Sequence, residues 1–388
     1  MKIIADANIP FVAECFSSIG KVEVIPANQI TPAVVANADI LLVRSVTQVN
    51  STLLAESSVR FVATATIGFE HIDIEYLSEN NIGFASAPGS NANSVAEYVI
   101  AGLLEAAKKY EFELKGKSIG IVGVGNVGSR IAQKCNALGM KVCLNDPPLK
   151  RKTGDVKYLP IENLLDCDFI TVHTPLTFED ADRTFHLADE EFFKSLKQGC
   201  VFVNTSRGGV VDTEALKAVT KAGKLKAVIL DVWENEPGID TELLEMVDIG
   251  TPHIAGYSMD GKVAGMLMIY RQVCKYFGLE AEFDMKSFLP EPAIARLKIS
   301  LDRRNEQEVL LDTVRKIYDI KEDDSRLRQI LDIPEEKRGK FFSQLRRDYP
   351  VRREFQNTKI ESNVADTENI KKLSEKLKAI GFKVTSGK

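Results

Sequence analysis

At 388 residues, with 44% apolar and 27% charged residues, the chain is too long for one ordinary core and too ordinary in composition to be fibrous or disordered. Its net charge of -5 hides an asymmetry: from Lys286 onward it carries 24 Lys and Arg against 18 Asp and Glu, which leaves an acidic body ahead of a basic tail. An acidic body argues against a nucleic-acid partner.

The longest apolar stretches, such as 99–104, fall far short of the roughly 20 residues a membrane span needs. The start, MKIIADANIP, lacks the basic flank and long apolar stretch of a secretory leader, so a cytoplasmic protein without a membrane partner is expected. Cys15, Cys135, Cys143, Cys167, Cys200 and Cys274 sit in apolar contexts without CxxC spacing or nearby histidines. That pattern predicts buried, reduced thiols and no metal site.

In chain order, short β-rich runs at 2–5, 22–25, 40–43 and 61–64 alternate with helix-compatible segments and predict a small parallel α/β domain. A helical stretch from Asn93 through Tyr98 and Leu103 to Lys108 and Lys109 leads to a connection at Gly116. Strands then recur at βαβ spacing, at 118–122, 141–144, 169–172, 201–204 and 227–230. Their near-continuous apolar character belongs to a sheet covered on both faces. A helical pattern at 262–277 returns the chain to the first domain, and Pro290 and Pro292 mark a linker. The remainder, with amphipathic helices at 306–318 and 368–380, reads as a third, α+β domain.

The strand at 118–122 runs into Gly123-Val124-Gly125-Asn126-Val127-Gly128, followed by a helix at 129–138. The glycines serve a tight turn, close backbone approach to a pyrophosphate, and tight packing of helix on strand. The helix start supplies free N–H groups and a positive dipole end for the anion. Asp146, 18 residues after Gly128, ends the next strand, where a carboxylate accepts hydrogen bonds from ribose hydroxyls and repels a 2′-phosphate. The motif therefore predicts NAD as cofactor, with Lys150 and Arg151 just beyond as features that would favour NADP. A glycine turn in a non-binding α/β domain is the alternative.

Four histidines narrow the search for a proton-transfer group. His71, His173 and His186 are expected to be structural. His253, in Thr-Pro-His-Ile-Ala-Gly (251–256), follows the last apolar run and opens the crossing to the first domain, which places it at the cleft that open parallel sheets leave at their carboxyl ends. Two more segments end strands at the same edge, Asn-Thr-Ser-Arg-Gly-Gly (204–209) and Asp-Val-Trp-Glu-Asn-Glu-Pro (231–237).

Together these segments, in this order over residues 1–285, resemble the D-2-hydroxyacid dehydrogenase family. The resemblance implies a flavodoxin-like substrate domain from 1–92 and 255–285, a Rossmann-type NAD-binding domain at 93–254, and an additional C-terminal α+β domain at 286–388. It implies that Arg207 holds the substrate carboxylate, Glu236 supports the histidine, and His253 exchanges the hydroxyl proton. It also implies that Thr174, Ser206, Asp231 and Gly256 line the cofactor site with the glycine loop, Asp231 facing the nicotinamide end. Homodimers are implied too, with the added domain as the dimerisation module.

The chemistry requires such a set. Removing hydride from C2 leaves a developing carbonyl, so the hydroxyl proton must go to a base that titrates near neutrality. A neighbouring carboxylate favours the imidazolium, and arginine grips a carboxylate bidentately without a proton to lose.

The segments 43–47 and 63–73 end strands in the first domain and offer Ser45 and Thr66 hydroxyls and the Arg44 charge, with Tyr257 directly after the histidine loop. Together with the added C-terminal domain they make the chain resemble a member of this family that acts on a phosphorylated small 2-hydroxy acid, so the resemblance implies such a substrate, which the basic tail would suit. A solvated helix face is the expected setting of Arg346 and Arg347, and contact of either with the phosphate across a dimer is the alternative. Another family member handling a phosphorylated substrate, such as phosphoglycerate dehydrogenase, and an NAD(H)-sensing regulatory protein stand as competing readings.

Overall fold

The structure, a computed structural model, describes residues 1–179, 181–300, 305–362 and 368–386. Met1–Asn91 with Tyr257–Glu291 form one compact unit, and Ala92–Gly256 with Pro292–Lys388 the other.

In the first unit, β1 (Lys2–Asp6), β2 (Lys21–Ile25), β3 (Ile40–Val43), β4 (Phe61–Thr64) and β5 (Gly83–Ala85) form a parallel sheet in the order β2-β1-β3-β4-β5. That is the flavodoxin-like order. Every residue of β3 and β4 is buried, because helices cover both faces of the sheet. One face packs on Met259–Phe277 through Val263, Met266, Leu267, Tyr270 and Val273. The other packs on Val35, Leu54 and Leu77. Ser258 caps that long helix, accepting the Gly261 N–H at 2.9 Å, and Gly278 ends it at φ 67°. β5 is a three-residue edge strand that apolar periodicity does not reveal.

In the second unit, β6 (Ser118–Val122), β7 (Lys141–Asn145), β8 (Phe169–Val172), β9 (Cys200–Asn204), β10 (Leu225–Leu230) and β11 (Ile249–Gly250) form a parallel sheet ordered β11-β10-β9-β8-β6-β7. A lone parallel bridge between Leu144 and Tyr158 extends it beyond β7. Counting that bridge as a reduced strand gives the dinucleotide-binding order, with its reversal between β6 and β8. Its core joins Phe193, Phe202 and Trp233 to Leu327 and Phe342 of the tail.

The tail contributes a parallel sheet of β12 (Arg296–Ile299), β13 (Lys359–Ser362) and β14 (Lys383–Ser386). Its helix Glu306–Ile317, started by a capping box of Asn305 and Glu308, packs on the helix Ala92–Lys109. That explains why the latter is buried almost all round, two carboxylates included. Arg315 forks onto Glu105 at 2.5 and 2.7 Å, and the Phe355 N–H donates to Glu97 at 3.0 Å. The cysteines are free, all but Cys143 buried, and burial pushes Cys15, Cys135, Cys167 and Cys200 up to about 12. Among the described residues no helix is long and apolar enough to cross a membrane, and no group of His, Cys, Asp and Glu is arranged to hold a metal ion.

Candidate active site

The glycine loop lies at the carboxyl end of β6. Gly123 has φ 86°, and a Cβ there would stand 2.7 Å from the His173 carbonyl oxygen. A Cβ on Gly128 would stand 2.1 Å from the Gly123 carbonyl oxygen, whereas one on Gly125 would meet nothing within 4 Å. The first and third glycines thus serve the protein's own packing, and the second leaves open space. The following helix runs Asn126–Ala137, three residues earlier than its apolar pattern starts, so Asn126 and Val127 supply unpaired first-turn N–H groups.

Asp146 uses both oxygens within the fold. Oδ2 accepts the Val124 N–H at 2.8 Å and Oδ1 the Leu149 N–H at 2.9 Å, capping the helix Pro147–Thr153. Arg151 pairs with Asp182. Thr174, whose backbone N would lie 3.0 Å from a Gly123 Cβ, has a buried hydroxyl with no hydrogen-bond partner. An open glycine at a helix start, a carboxylate ending the next strand and an orphaned hydroxyl at the sheet's switch point fit a dinucleotide.

Three histidines have structural settings. His71 meets Thr64 Oγ1 at 3.1 Å, and burial holds it below the usual histidine range. His173, between Thr171 at 2.7 Å and Thr205 at 3.1 Å, is driven down to about 3 by burial. His186 stacks on Phe185 and meets Glu234 Oε1 at 2.8 Å.

His253 differs. Its Nδ1 lies 2.8 Å from Glu236 Oε2 with the side chain 31% exposed, so Nε2 is the nitrogen left to face a reactant. Burial pushes the Glu236 carboxyl up, but the charge of His253, its hydrogen bond and the Trp233 N–H at 2.9 Å outweigh it and hold Glu236 below its usual range. Arg346 adds to that lowering. Within one chain Arg346 thus exerts its charge on Glu236, while Arg347 lies exposed, 3.7 Å from Asp348.

Asp231 lies beneath the histidine loop. It is 1% exposed. Oδ1 accepts the Thr251 hydroxyl at 2.6 Å and the Ile254 N–H at 2.7 Å, and Oδ2 accepts the Ala255 N–H at 2.9 Å. Burial raises its carboxyl above the usual range against the pull of His253 and these bonds. The His253 N–H donates to the Asp231 carbonyl at 2.7 Å.

The three signature segments are stitched together. The Trp233 indole N–H donates to the Thr251 carbonyl at 2.9 Å, and a Cβ on Gly208 would fall 1.9 Å from the Trp233 carbonyl oxygen, so only glycine lets these backbones meet. Arg207 is half-buried beside that contact, one guanidinium nitrogen 2.9 Å from the Ser206 carbonyl. The Ser206 hydroxyl is taken by Asn204 Oδ1 at 2.8 Å. Gly256 closes the loop, half-buried.

In the first unit, Ser45 is exposed just beyond β3. The Thr66 hydroxyl donates to the Gly68 carbonyl at 2.8 Å. Arg44 donates to the Asn8 carbonyl at 3.1 Å, with its guanidinium carbon 5.7 Å from the centre of the Tyr257 ring. Three supporting hydroxyls escaped the sequence reading: Thr251, Tyr98, which lies 2.8 Å from Thr251 Oγ1, and Ser94, which donates to the Ala255 carbonyl at 2.8 Å. Polar groups on an otherwise apolar helix were the available signal for the last two.

Comparison with known proteins places these features in one lineage. Residues 90–255 match the model for the D-isomer specific 2-hydroxyacid dehydrogenase NAD binding domain, and residues 288–381 match a domain of unknown function, DUF3410. The chain is 40% identical over 386 residues to the erythronate-4-phosphate dehydrogenase of Hahella chejuensis, covering all of both chains. It is 42% identical to that of Cronobacter sakazakii over 99% of both. Among solved structures, the NAD+-bound 3-phosphoglycerate dehydrogenase of Entamoeba histolytica superposes with a TM-score of 0.60 at 26% identity, covering 74% of this chain and 99% of its own. An α/β chain with a dinucleotide-binding sheet, a histidine–carboxylate pair and full-length identity at this level belongs to the D-isomer specific 2-hydroxyacid dehydrogenase family, in its erythronate-4-phosphate dehydrogenase branch.

Proposed function

We propose that the chain oxidises C2 of 4-phospho-D-erythronate with NAD as hydride acceptor, giving (R)-3-hydroxy-2-oxo-4-phosphooxybutanoate in pyridoxal 5′-phosphate (vitamin B6) biosynthesis. The relatives that carry this activity in their names match from end to end, tail included. The 3-phosphoglycerate dehydrogenase likeness covers 74% of the chain, which favours phosphoerythronate over phosphoglycerate.

The observation that carries the mechanism is the 2.8 Å bond from His253 to Glu236. When bound, NAD takes the hydride that leaves C2. His253 Nε2 removes the hydroxyl proton as the C–O bond becomes a carbonyl, and Glu236 holds the ring and stabilises the imidazolium. Arg207 takes the substrate carboxylate and fixes C2 in the reactive orientation. Asp231 orients the histidine loop from beneath, and Thr174, Asp146 and the glycine loop hold the cofactor. Ser45, Thr66, Arg44 and Tyr257 serve the remainder of the substrate. The chain acts in the cytoplasm, and the family resemblance supports a homodimer held through residues 286–388.

The test is a purified-enzyme assay with 4-phosphoerythronate and 3-phosphoglycerate, followed by NADH absorbance, with a 2-oxo acid present to reoxidise retained cofactor. Phosphoerythronate is expected to be the better substrate. His253→Ala should lose about 10²–10⁴-fold in turnover, the usual worth of general acid–base catalysis, with NAD affinity unchanged. Near-normal turnover of that variant, or a preference for phosphoglycerate, overturns the reading.

A further inference from the structure

His253 sits at φ 57°, a left-handed conformation unfavourable for a residue with a Cβ. Such backbone persists only where its surroundings over-determine it. Asp231 supplies one side of that constraint through the N–H groups of Ile254 and Ala255. The other side comes from the tail.

Arg352 is 7% exposed. Its Nη2 donates to the Ala255 carbonyl at 2.6 Å and to the Ser94 hydroxyl, which itself donates to the same carbonyl. The guanidinium carbon lies 4.2 Å from the centre of the Tyr318 ring, and Nη1 is buried without a hydrogen-bond partner. Ala255 is thus held at both peptide groups, N–H to a carboxylate and C=O to a guanidinium. A buried guanidinium is costly to desolvate, and an apolar side chain of the same shape often packs at no loss. What the charge adds is a charge-assisted bond, about twice as strong as a neutral one, two residues from the imidazole.

We propose that Arg352 is a positioning residue for His253, acting through the Ala255 carbonyl, so that the C-terminal segment completes the histidine loop. This rests on the proposed role of His253.

The experiment compares Arg352→Ala, Arg352→Lys and His253→Ala in the full chain, measuring kcat, KM and the pH profile of kcat/KM. Arg352→Ala should lower kcat by roughly 10–100-fold, the worth of one hydrogen bond to a charged group, and alter the pH profile with little change in KM. Guanidinium chloride at non-denaturing concentration should restore part of the rate, and Arg352→Lys should fall between wild type and Ala. Wild-type kcat and pH profile in Arg352→Ala, or a loss that neither guanidinium nor lysine relieves, overturns the proposal. Should Arg352→Ala fail to fold, Arg352→Gln keeps a neutral donor of similar reach; it should lower kcat about threefold, a fraction of a neutral bond's worth, and wild-type kcat and pH profile in that variant overturn the proposal. Wild-type turnover in His253→Ala would instead mean that the reading of His253 has failed, whatever Arg352 does.

Discussion

Two loops of the second unit place non-standard backbone at the carboxyl edge of the same sheet, and they reach it by opposite means. At 123–128 the turn forms because side chains are missing: Gly123 adopts φ 86°, and Gly128 lets helix and strand touch. At 251–256 the turn forms although a side chain is present. His253 at φ 57° is held by Asp231 below, by Ser94 and Arg352 at Ala255, and by Thr251 with Tyr98 behind it. A loop that must present only backbone can be built by deletion, whereas a loop that must present an imidazole needs anchors from distant chain segments. The first costs conformational entropy; the second costs the burial of polar groups, most of which are satisfied by one another.

The largest effect should come from breaking the first loop. With the added Cβ at 2.1 Å from the Gly123 carbonyl, Gly128→Ala has to open the turn, so calorimetry should show NAD affinity down at least ~100-fold and a lower melting temperature, the signature of an overpacked contact. Gly125→Ala is the matched control. It meets no protein atom within 4 Å, so the melting temperature should hold while NAD binding weakens. Loss of stability in both variants would erase the distinction between packing and ligand-facing glycines.

Breaking the second loop should cost less. In Asp231→Asn one acceptor of the three donors becomes an amide donor, and roughly 2 kcal/mol of loop support disappears, about 30-fold in kcat. Stability should not fall in step. A carboxyl raised by burial is worse off ionised in the fold than in the unfolded chain, so at neutral pH its charge subtracts stability that the neutral amide does not. Equal losses of melting temperature and kcat would count against an orienting role.

Glu236→Gln should give the smallest shift in stability and sharpen the comparison most. Glu236 is held below its usual range, so its ionised form favours the fold at neutral pH, and that contribution is lost as pH falls through its lowered value. The variant should therefore be less stable than wild type near neutrality and converge with it in acid. Its acid limb of kcat/KM should move to lower pH, because imidazolium loses the carboxylate that favours it. An unmoved limb would detach Glu236 from the proton transfer.

The same contrast explains what could be read from residues alone. The strands at 40–43, 61–64, 118–122 and 169–172 were legible to the residue, since buried parallel strands are apolar on both faces. The glycine loop was legible because its determinants are contiguous. The Arg207, Glu236 and His253 segments were legible as short motifs. Not legible were Ser94, Tyr98 and Arg352, since their partners lie more than ninety positions away in each case. Nor was the short edge strand Gly83–Ala85, too brief for a period to show. The two-residue β11 escaped for the same reason. Nor could the sequence say that some of the tail's basic residues would be spent on buried carboxylates and carbonyls, as at Arg315 and Arg352.

Asp146 shows how closely recognition and architecture can be joined. The carboxylate proposed to read a ribose also ties down the glycine turn at Val124 and starts the helix Pro147–Thr153. Neutralising it to admit an extra phosphate would slacken the pyrophosphate cradle and fray that helix together. On that reading a change of nucleotide preference in this chain would call for compensating substitutions, and its choice of redox currency would be guarded by folding as much as by binding.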